Sequence, residues 1–360
     1  MSDKVKLSHG VMEGKGAYNR HAMIPAGGAA LAAPFLEKAV QRIALDPEDR
    51  PVVIADYGSS QGKNSLAPIK IAIRNLVPRL GPNRPIFVFH VDQPSNDFNS
   101  LFEVLSSDPD RYTLDGANVF PCAIGKSFYE QVLPPDSVHL GWSSYAAVWL
   151  SRIPSLIPGH FFPPSSTGAA RAAFERQGAE DWKAFLSLRA CELRPGARLV
   201  VVLPGLSDDG LSGFAGVMDH ANAVLTQMVD DNTITAQERV RMVLGTYPRR
   251  KSELLAPFAK DGQFQRLIVE DCEISVLPDA AWADYQLDGD KQALATKQAL
   301  FFRSVFMPSL ANALTRVRDG DNEALRSFAD QLQDGLTRRL VSQPASTDSF
   351  VETIVLAKCG

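Results

Sequence analysis

Cysteine is scarce in this chain and poorly placed for cross-linking: Cys122, Cys191, Cys272 and Cys359 lie far apart, with no C-x-x-C pair among them. No histidine stands at metal-ligand spacing from them, so the sequence writes neither a disulfide framework nor a zinc site, and no metal is expected. An excess of basic charge is also missing, since 37 Lys and Arg stand against 41 Asp and Glu, for a net charge of -4 and a pI near 5.9. Affinity for a phosphate backbone comes from clustered cations, so the charge balance argues against nucleic acid and for a small-molecule partner. No apolar run reaches the roughly 20 residues of a membrane span, and the opening MSDKVKLSHG lacks the apolar stretch of a signal peptide. The expectation is a cytoplasmic protein in a reducing environment, without membrane contact. What is present is an ordinary globular composition over 360 residues, 45% hydrophobic and 22% charged, enough for one large core with an added cap.

Short β-branched runs recur between helical patterns, at Val52 to Tyr57, Ile86 to Val91, Val119 to Ile124, Ser137 to Gly141 and Arg198 to Leu203. Alternation of this kind predicts an α/β fold with a mostly parallel sheet covered by helices. After Leu203 the texture turns Gly-rich and then helical, and two late strands, Gln265 to Leu277 and Ser349 to Lys358, are expected to complete one sheet edge. Between them lies a helical block, Asp288 to Leu340, whose Phe301, Phe302, Phe306, Met307 and Leu310 recur at helical spacing. Core packing accounts for such a stripe, and part of it can also roof a ligand pocket.

The most informative segment is PVVIADYGSSQGKNS, Pro51 to Ser65: a buried strand, a small-residue turn through Asp56, Gly58, Ser60 and Gly62, then a helix. Pro68 in its first turns and Leu66, Ile69, Ile73 and Leu76 on one face support that helix. Such a turn lets the backbone pass close to a ligand at the carboxyl end of the sheet. A dinucleotide calls for G-x-G-x-x-G and an acid about 20 residues on, whereas this turn reads D-x-G-x-S-x-G and the next strand-end acid is Asp92. S-adenosylmethionine has no pyrophosphate, so one acid at the first strand end suits its methionine part and another at the second, Asp92, suits its ribose hydroxyls. Gly58 to Gly62 also satisfies G-x-S-x-G, a nucleophile elbow with Ser60 as nucleophile, but the last histidine is His220, which leaves a long C-terminal part without a triad base.

Further motifs follow in order. They are Ala17-Tyr18-Asn19-Arg20, the turn from Asp56 to Asn64, VDQPSNDFN at Val91 to Asn99, Ser127-Phe128-Tyr129, and WSSYAAVWLS at Trp142 to Ser151. Through about the first 205 residues this ordered set resembles the SABATH family of small-molecule carboxyl methyltransferases, with its tyrosine segment, D-L-G-C-S-S-G-P-N turn, N-D-L-P-x-N-D-F-N loop, G-S-F-Y motif and H-S-S-Y-S-x-x-W-L-S helix start.

The resemblance implies an α/β fold of the Rossmann-like class I methyltransferase type, a seven-stranded mostly parallel sheet with a helical cap. The implied core is 1–205 with 258–278 and 341–360, and the implied cap 206–257 and 279–340. It implies S-adenosyl-L-methionine as cofactor and S-adenosyl-L-homocysteine as product, with Tyr18, Asp56, Gly58, Ser60, Asn64, Asp92, Gln93, Ser127, Phe128 and Ser143 around the cofactor. Phe128 can stack on adenine and Asp92 can accept ribose hydroxyls. Tyr145, Trp149, Val148, Trp142 and Pro25 would line the acceptor pocket, with Trp282 and Tyr285 as further walls. A carboxylate acceptor with a pKa near 4 is already ionised, so no general base is expected and catalysis would rest on orientation and exclusion of water. A homodimer is implied as well.

Departures fall on the acceptor side. Where the family has a cofactor-touching serine and a carboxylate-binding glutamine stand Ala22 and Pro25; Val148 stands where the family often has His or Met, and Trp142 where it usually has His. A larger, more apolar pocket is expected, for a carboxylate or, as in the xanthine-methylating branch, a ring nitrogen.

Overall fold

The computed structural model describes residues 10, 12–46, 50–81, 83–114, 118–207, 210–315 and 321–360. Three short helices, α1 (Ala17–His21), α2 (Met23–Leu31) and α3 (Ala33–Gln41), precede β1 (Val52–Tyr57). Then come α4 (Lys63–Leu76), β2 (Ile86–Asp92), α5 (Phe98–Ser107), β3 (Val119–Gly125) and β4 (Val138–Ser144). The long α6 (Gly168–Glu192) runs into β5 (Leu193–Pro204), followed by α7 (Ala215–Asp230), α8 (Ala236–Arg241) and α9 (Lys251–Leu255). A hairpin of β6 (Gln263–Phe264) and β7 (Leu267–Leu277) leads to α10 (Ala280–Asp288), α11 (Lys291–Val305), α12 (Met307–Ala311), α13 (Asn322–Ser342) and finally β8 (Ser349–Lys358).

The strands form one sheet in the order β3-β2-β1-β4-β5-β8-β7-β6. The first five are mutually parallel, and β8 enters antiparallel between β5 and β7. Strand order reverses at β1, which has β2 on one side and β4 on the other, so a crevice opens at the carboxyl ends of these strands.

Sequence pattern explains the layers. Leu66, Ile69, Ile73 and Leu76 of α4 are all buried, and with Leu36 and Val40 of α3 they cover one face of the sheet. Trp182, Phe185 and Leu186 of α6 cover the other face, against Tyr57, Val201 and Leu203. Met218 and Leu225 of α7, Phe302 of α11 and Leu332 and Leu336 of α13 share a separate core with Phe161.

Two details differ from expectation. The sheet has an eighth, two-residue strand, because Gln265 and Arg266 take φ of 49° and 67° and turn the chain just where the run at Gln265 was read as strand. The segment after β4 is a turn, not a helix, since the N–H of Tyr145 bonds the carbonyl of Val202 and that of Leu150 bonds Gly245, both across to other elements.

Candidate active site

The turn after β1 is stitched to the end of β2. The N–H groups of Gly58 and Ser59 donate to the carbonyl of Val91 at 2.8 and 3.2 Å. Ser60 N–H donates to Asp92 Oδ2 at 2.7 Å, while Gln93 N–H donates to Asp92 Oδ1 at the same distance. Gly58 sits at φ 91°, and a Cβ there would fall 2.1 Å from that of Ala146, so the position admits only glycine. Burial pushes the Asp92 carboxyl up to about 6, against the two N–H groups and with the nearby Asp56 charge adding to the rise.

A polar cavity opens over this turn, lined by Gly58, Ser60 and Gln61, by Asp92, Gln93 and the loop to Asp97, and by Phe128, Ser144, Tyr145, Ala146 and Trp149. The hydroxyls of Ser60, Ser144 and Tyr145 are buried without a hydrogen-bond partner. Buried hydroxyls left unpaired are costly, which marks these three as groups awaiting a polar ligand. Among the described residues no histidine lines the cavity to serve Ser60 as a base, and His90 is locked between Asp56 Oδ2 and Tyr112 Oη at 2.9 and 2.8 Å.

The amino-terminal segment roofs the cavity with Gly10, Met12, Gly14 and Tyr18. Gln61 Nε2 donates to the carbonyl of Glu13 at 2.7 Å, and Glu13 N–H donates to the carbonyl of Ser304 at 3.0 Å. Arg303 of α11 pairs with the Glu13 carboxylate at 3.2 Å, so the segment is held to both the turn and the cap.

A second cavity adjoins the first and shares Met12, Tyr18, Tyr145 and Trp149 with it. Its remaining lining is apolar apart from Ser212, Thr246 and Ser349, and contains no charged side chain among the described residues. Phe214 and Phe301 stack at 5.5 Å and Phe301 meets Phe306 edge-on at 5.9 Å, forming one wall; Ile24, Pro25, Val148, Phe162, Met218, Val305 and Phe350 supply much of the rest. Tyr145 stands at the seam with φ 57°, its ring so close to α2 that a Cβ on Gly28 would fall 2.5 Å from it.

The structure thus gathers Tyr18, Gly58, Ser60, Asp92, Gln93, Phe128, Tyr145 and Trp149 on the polar cavity, and Pro25 and Val148 on the apolar one. Other expected residues lie behind the surface. Asp56 is buried beneath the turn, accepting Ser65 Oγ at 2.6 Å. Asn64 hydrogen-bonds the Tyr18 hydroxyl, whose pKa burial raises, and donates to the carbonyl of Ala22 at 3.2 Å. Ser143 donates to the carbonyl of Tyr57, and Ser127 Oγ accepts Tyr129 N–H; strand alternation turns the neighbouring Ser144 into the cavity instead. Trp142 departs from that expectation: it is 1% exposed and packs into the core on the α4 face, two residues short of the carboxyl end of β4 where Ser144 meets the cavity. Trp282 and Tyr285 depart from it too, since their rings pack tilted against each other at 5.1 Å on α10 and line neither cavity. Gln61, Met12, Ile24, Phe162, Phe214, Thr246 and Phe350 were not foreseen, for they come from separate segments that share no periodicity.

A family model described as SAM-dependent carboxyl methyltransferase matches residues 5–358. Methyltransferase LUC1 of Fusarium sp is 32% identical over 256 residues, 69% of this chain and 66% of that protein. Salicylate carboxymethyltransferase of Clarkia breweri is 28% identical over 289 residues, covering 77% of this chain and 78% of that one. A probable 7-methylxanthine methyltransferase of Theobroma cacao is 27% identical over 292 residues, 76% of this chain and 79% of its own length. In fold, the chain superposes on a loganic acid methyltransferase solved with S-adenosylhomocysteine at a TM-score of 0.76, with 22% identity, over 97% of this chain and 99% of that chain.

Proposed function

The chain belongs to the S-adenosylmethionine-dependent carboxyl methyltransferase family, and from that membership we propose that it methylates the carboxylate of a small aromatic or otherwise apolar acid, giving its methyl ester. The observation that carries this reading is the pair of adjoining cavities, one polar at the strand ends and one free of charged lining, joined at Met12, Tyr18, Tyr145 and Trp149.

The polar cavity fits the methyl donor: Gly58 leaves a cradle that a Cβ would fill, and Ser60 and Ser144 offer unpartnered hydroxyls. Asp92 would accept the ribose hydroxyls, Phe128 would cover adenine, and the backbone at Gly58, Ser60 and Gln93 with Tyr18 would hold the remainder. Asp56, Asn64, Ser127 and Ser143 support these groups from behind. When bound, S-adenosylmethionine supplies a methyl carbon on a positively charged sulfur, which an ionised carboxylate attacks directly. Among the described residues neither cavity is lined by histidine or lysine, and none is needed to remove a proton from an acid ionised at neutral pH. The protein's own contribution is to orient the acceptor between Tyr145 and Trp149 and to keep water out with the phenylalanine wall and the amino-terminal roof.

Transfer of labelled methyl from S-adenosylmethionine to a panel of aromatic and alkyl acids tests the reading, and a product released by mild base is expected. A cavity without cations also suits a neutral ring nitrogen, and a base-stable product formed on heterocycles instead would assign that acceptor. S-adenosylhomocysteine should raise the melting temperature, since a ligand of the folded state alone stabilises it by mass action; no shift at millimolar ligand would overturn the donor assignment. We take residues 1–205 with 258–278 and 341–360 as the cofactor-binding unit and 206–257 with 279–340 as the cap, in a cytoplasmic homodimer. Limited proteolysis tests the boundaries, light scattering the dimer and fractionation the compartment.

A further inference from the structure

One polar group in the apolar cavity has no use within the fold. Thr246 lines that cavity and is 4% exposed, yet its hydroxyl has no hydrogen-bond partner. The other hydroxyls on this wall differ: Ser349 donates to the carbonyl of Thr347, Ser212 accepts Phe214 N–H, and Tyr18 is engaged with Asn64. Among the described lining residues only Tyr145 shares the unpaired state of Thr246.

Thr246 also has a defined neighbour, because it forms an antiparallel bridge with Trp149. Leu150 N–H donates to the carbonyl of Gly245 and Tyr247 N–H to that of Val148, so the hydrogen bonds flank the Trp149 and Thr246 pair. Such a non-hydrogen-bonded pair brings its Cα atoms to about 4.5 Å and sets both side chains on the same face. The Thr246 side chain therefore neighbours that of Trp149, the residue that lines both cavities.

We propose that Thr246 is a positioning residue for the acceptor, its hydroxyl donating to the carboxylate oxygen that is not methylated. The proposal rests on the carboxyl methylation reading above. A carboxylate entering a cavity without cations among its described residues requires neutral donors, and the position where the resemblance places a hydrogen-bonding glutamine is Pro25, which has none to give. Thr246 supplies the missing donor from another segment of the lining, paired with Trp149, in a cavity that also holds the unpaired hydroxyl of Tyr145.

Titration calorimetry of the complex with S-adenosylhomocysteine, using benzoate, phenylacetate, 3-phenylpropionate and longer aryl and alkyl acids as probes, reads the contact without turnover. For the tightest acid, Thr246→Val should weaken binding at least tenfold and lower kcat/KM by a similar or larger factor. Thr246→Ser should restore both to within about threefold, and neither variant should change the affinity for S-adenosylhomocysteine. Valine equal to wild type within twofold would overturn the assignment, as would an equal loss of cofactor affinity, which would make the residue merely structural. If wild type neither binds nor methylates any acid of the panel, the carboxylate reading fails and this proposal fails with it.

Discussion

The methyl carbon of Ala146 occupies the space that a side chain on Gly58 would need: a Cβ added there would come within 2.1 Å of it. One contact thus locks the turn after β1 to the loop after β4, the two segments that border the polar cavity. Gly58 also holds φ 91°, so Gly58→Ala meets both backbone strain and overpacking. The substitution should destabilise the fold by about 2–4 kcal/mol. It should also abolish the rise in melting temperature on adding S-adenosylhomocysteine, while an unchanged shift would show that the turn can relax elsewhere.

Asp92 ties cofactor binding to pH. Burial lifts its carboxyl from 3.8 to about 6, so the protonated form favours the folded state, and this contribution is present below about 3.8 and lost as pH rises through about 6. Ribose hydroxyls donate to the ionised form and pull the pKa back down. Binding of S-adenosylhomocysteine near pH 6 should therefore release a fraction of a proton, seen by calorimetry in buffers of different ionisation enthalpy, and affinity should fall below that pH. Asp92→Asn should remove the proton release and weaken binding by about 1–3 kcal/mol.

Much of this site was legible because its backbone half is local. The strand, turn and helix around Gly58 declare themselves in fifteen consecutive residues, Pro51 to Ser65, and the structure follows that reading from Val52 to Leu76. Phase was harder to read. Trp142, Ser143 and Ser144 are neighbours on β4; the pleat, set by how β4 pairs with β1 and β5, turns Ser143 away, and Trp142, on the face of Ser144, lies two residues deeper in the core. The acceptor wall was least legible, since Phe162, Phe214, Thr246 and Phe350 are brought together only by tertiary packing.

That difference yields a control pair. Trp282 is half-buried and packs on Tyr285 away from both cavities, whereas Trp149 lines each of them. Trp282→Ala should leave the acceptor KM and cofactor affinity within twofold of wild type. Trp149→Ala should lower kcat/KM at least a hundredfold, and steady-state kinetics on the same acid checks both.

Glu352 gives a stability signature that is independent of the cavities. It lies within β8 between Leu203 and Ile274, fully buried, with neither carboxyl oxygen hydrogen-bonded. Gly205 leaves its side chain room, since a Cβ there would meet Glu352 Cγ at 2.7 Å. Burial pushes its pKa from 4.5 up to about 8; the charges of Arg249 and Lys251 oppose the rise and that of Glu253 adds to it. A raised pKa means that the folded chain holds the proton through a range where the unfolded chain has released it. The stability linked to this proton is complete below about 4.5 and is lost as pH climbs through about 8. Glu352→Gln keeps the shape and is neutral at every pH, so its stability relative to wild type should grow between pH 5 and 8 by something on the order of 3–5 kcal/mol and level off above. Taking the difference between the two proteins cancels the contribution of Asp92, which both retain. Denaturant unfolding at pH 5, 6.5 and 8 measures it, and a difference that stays constant across the three would mean that Arg249 holds Glu352 ionised throughout.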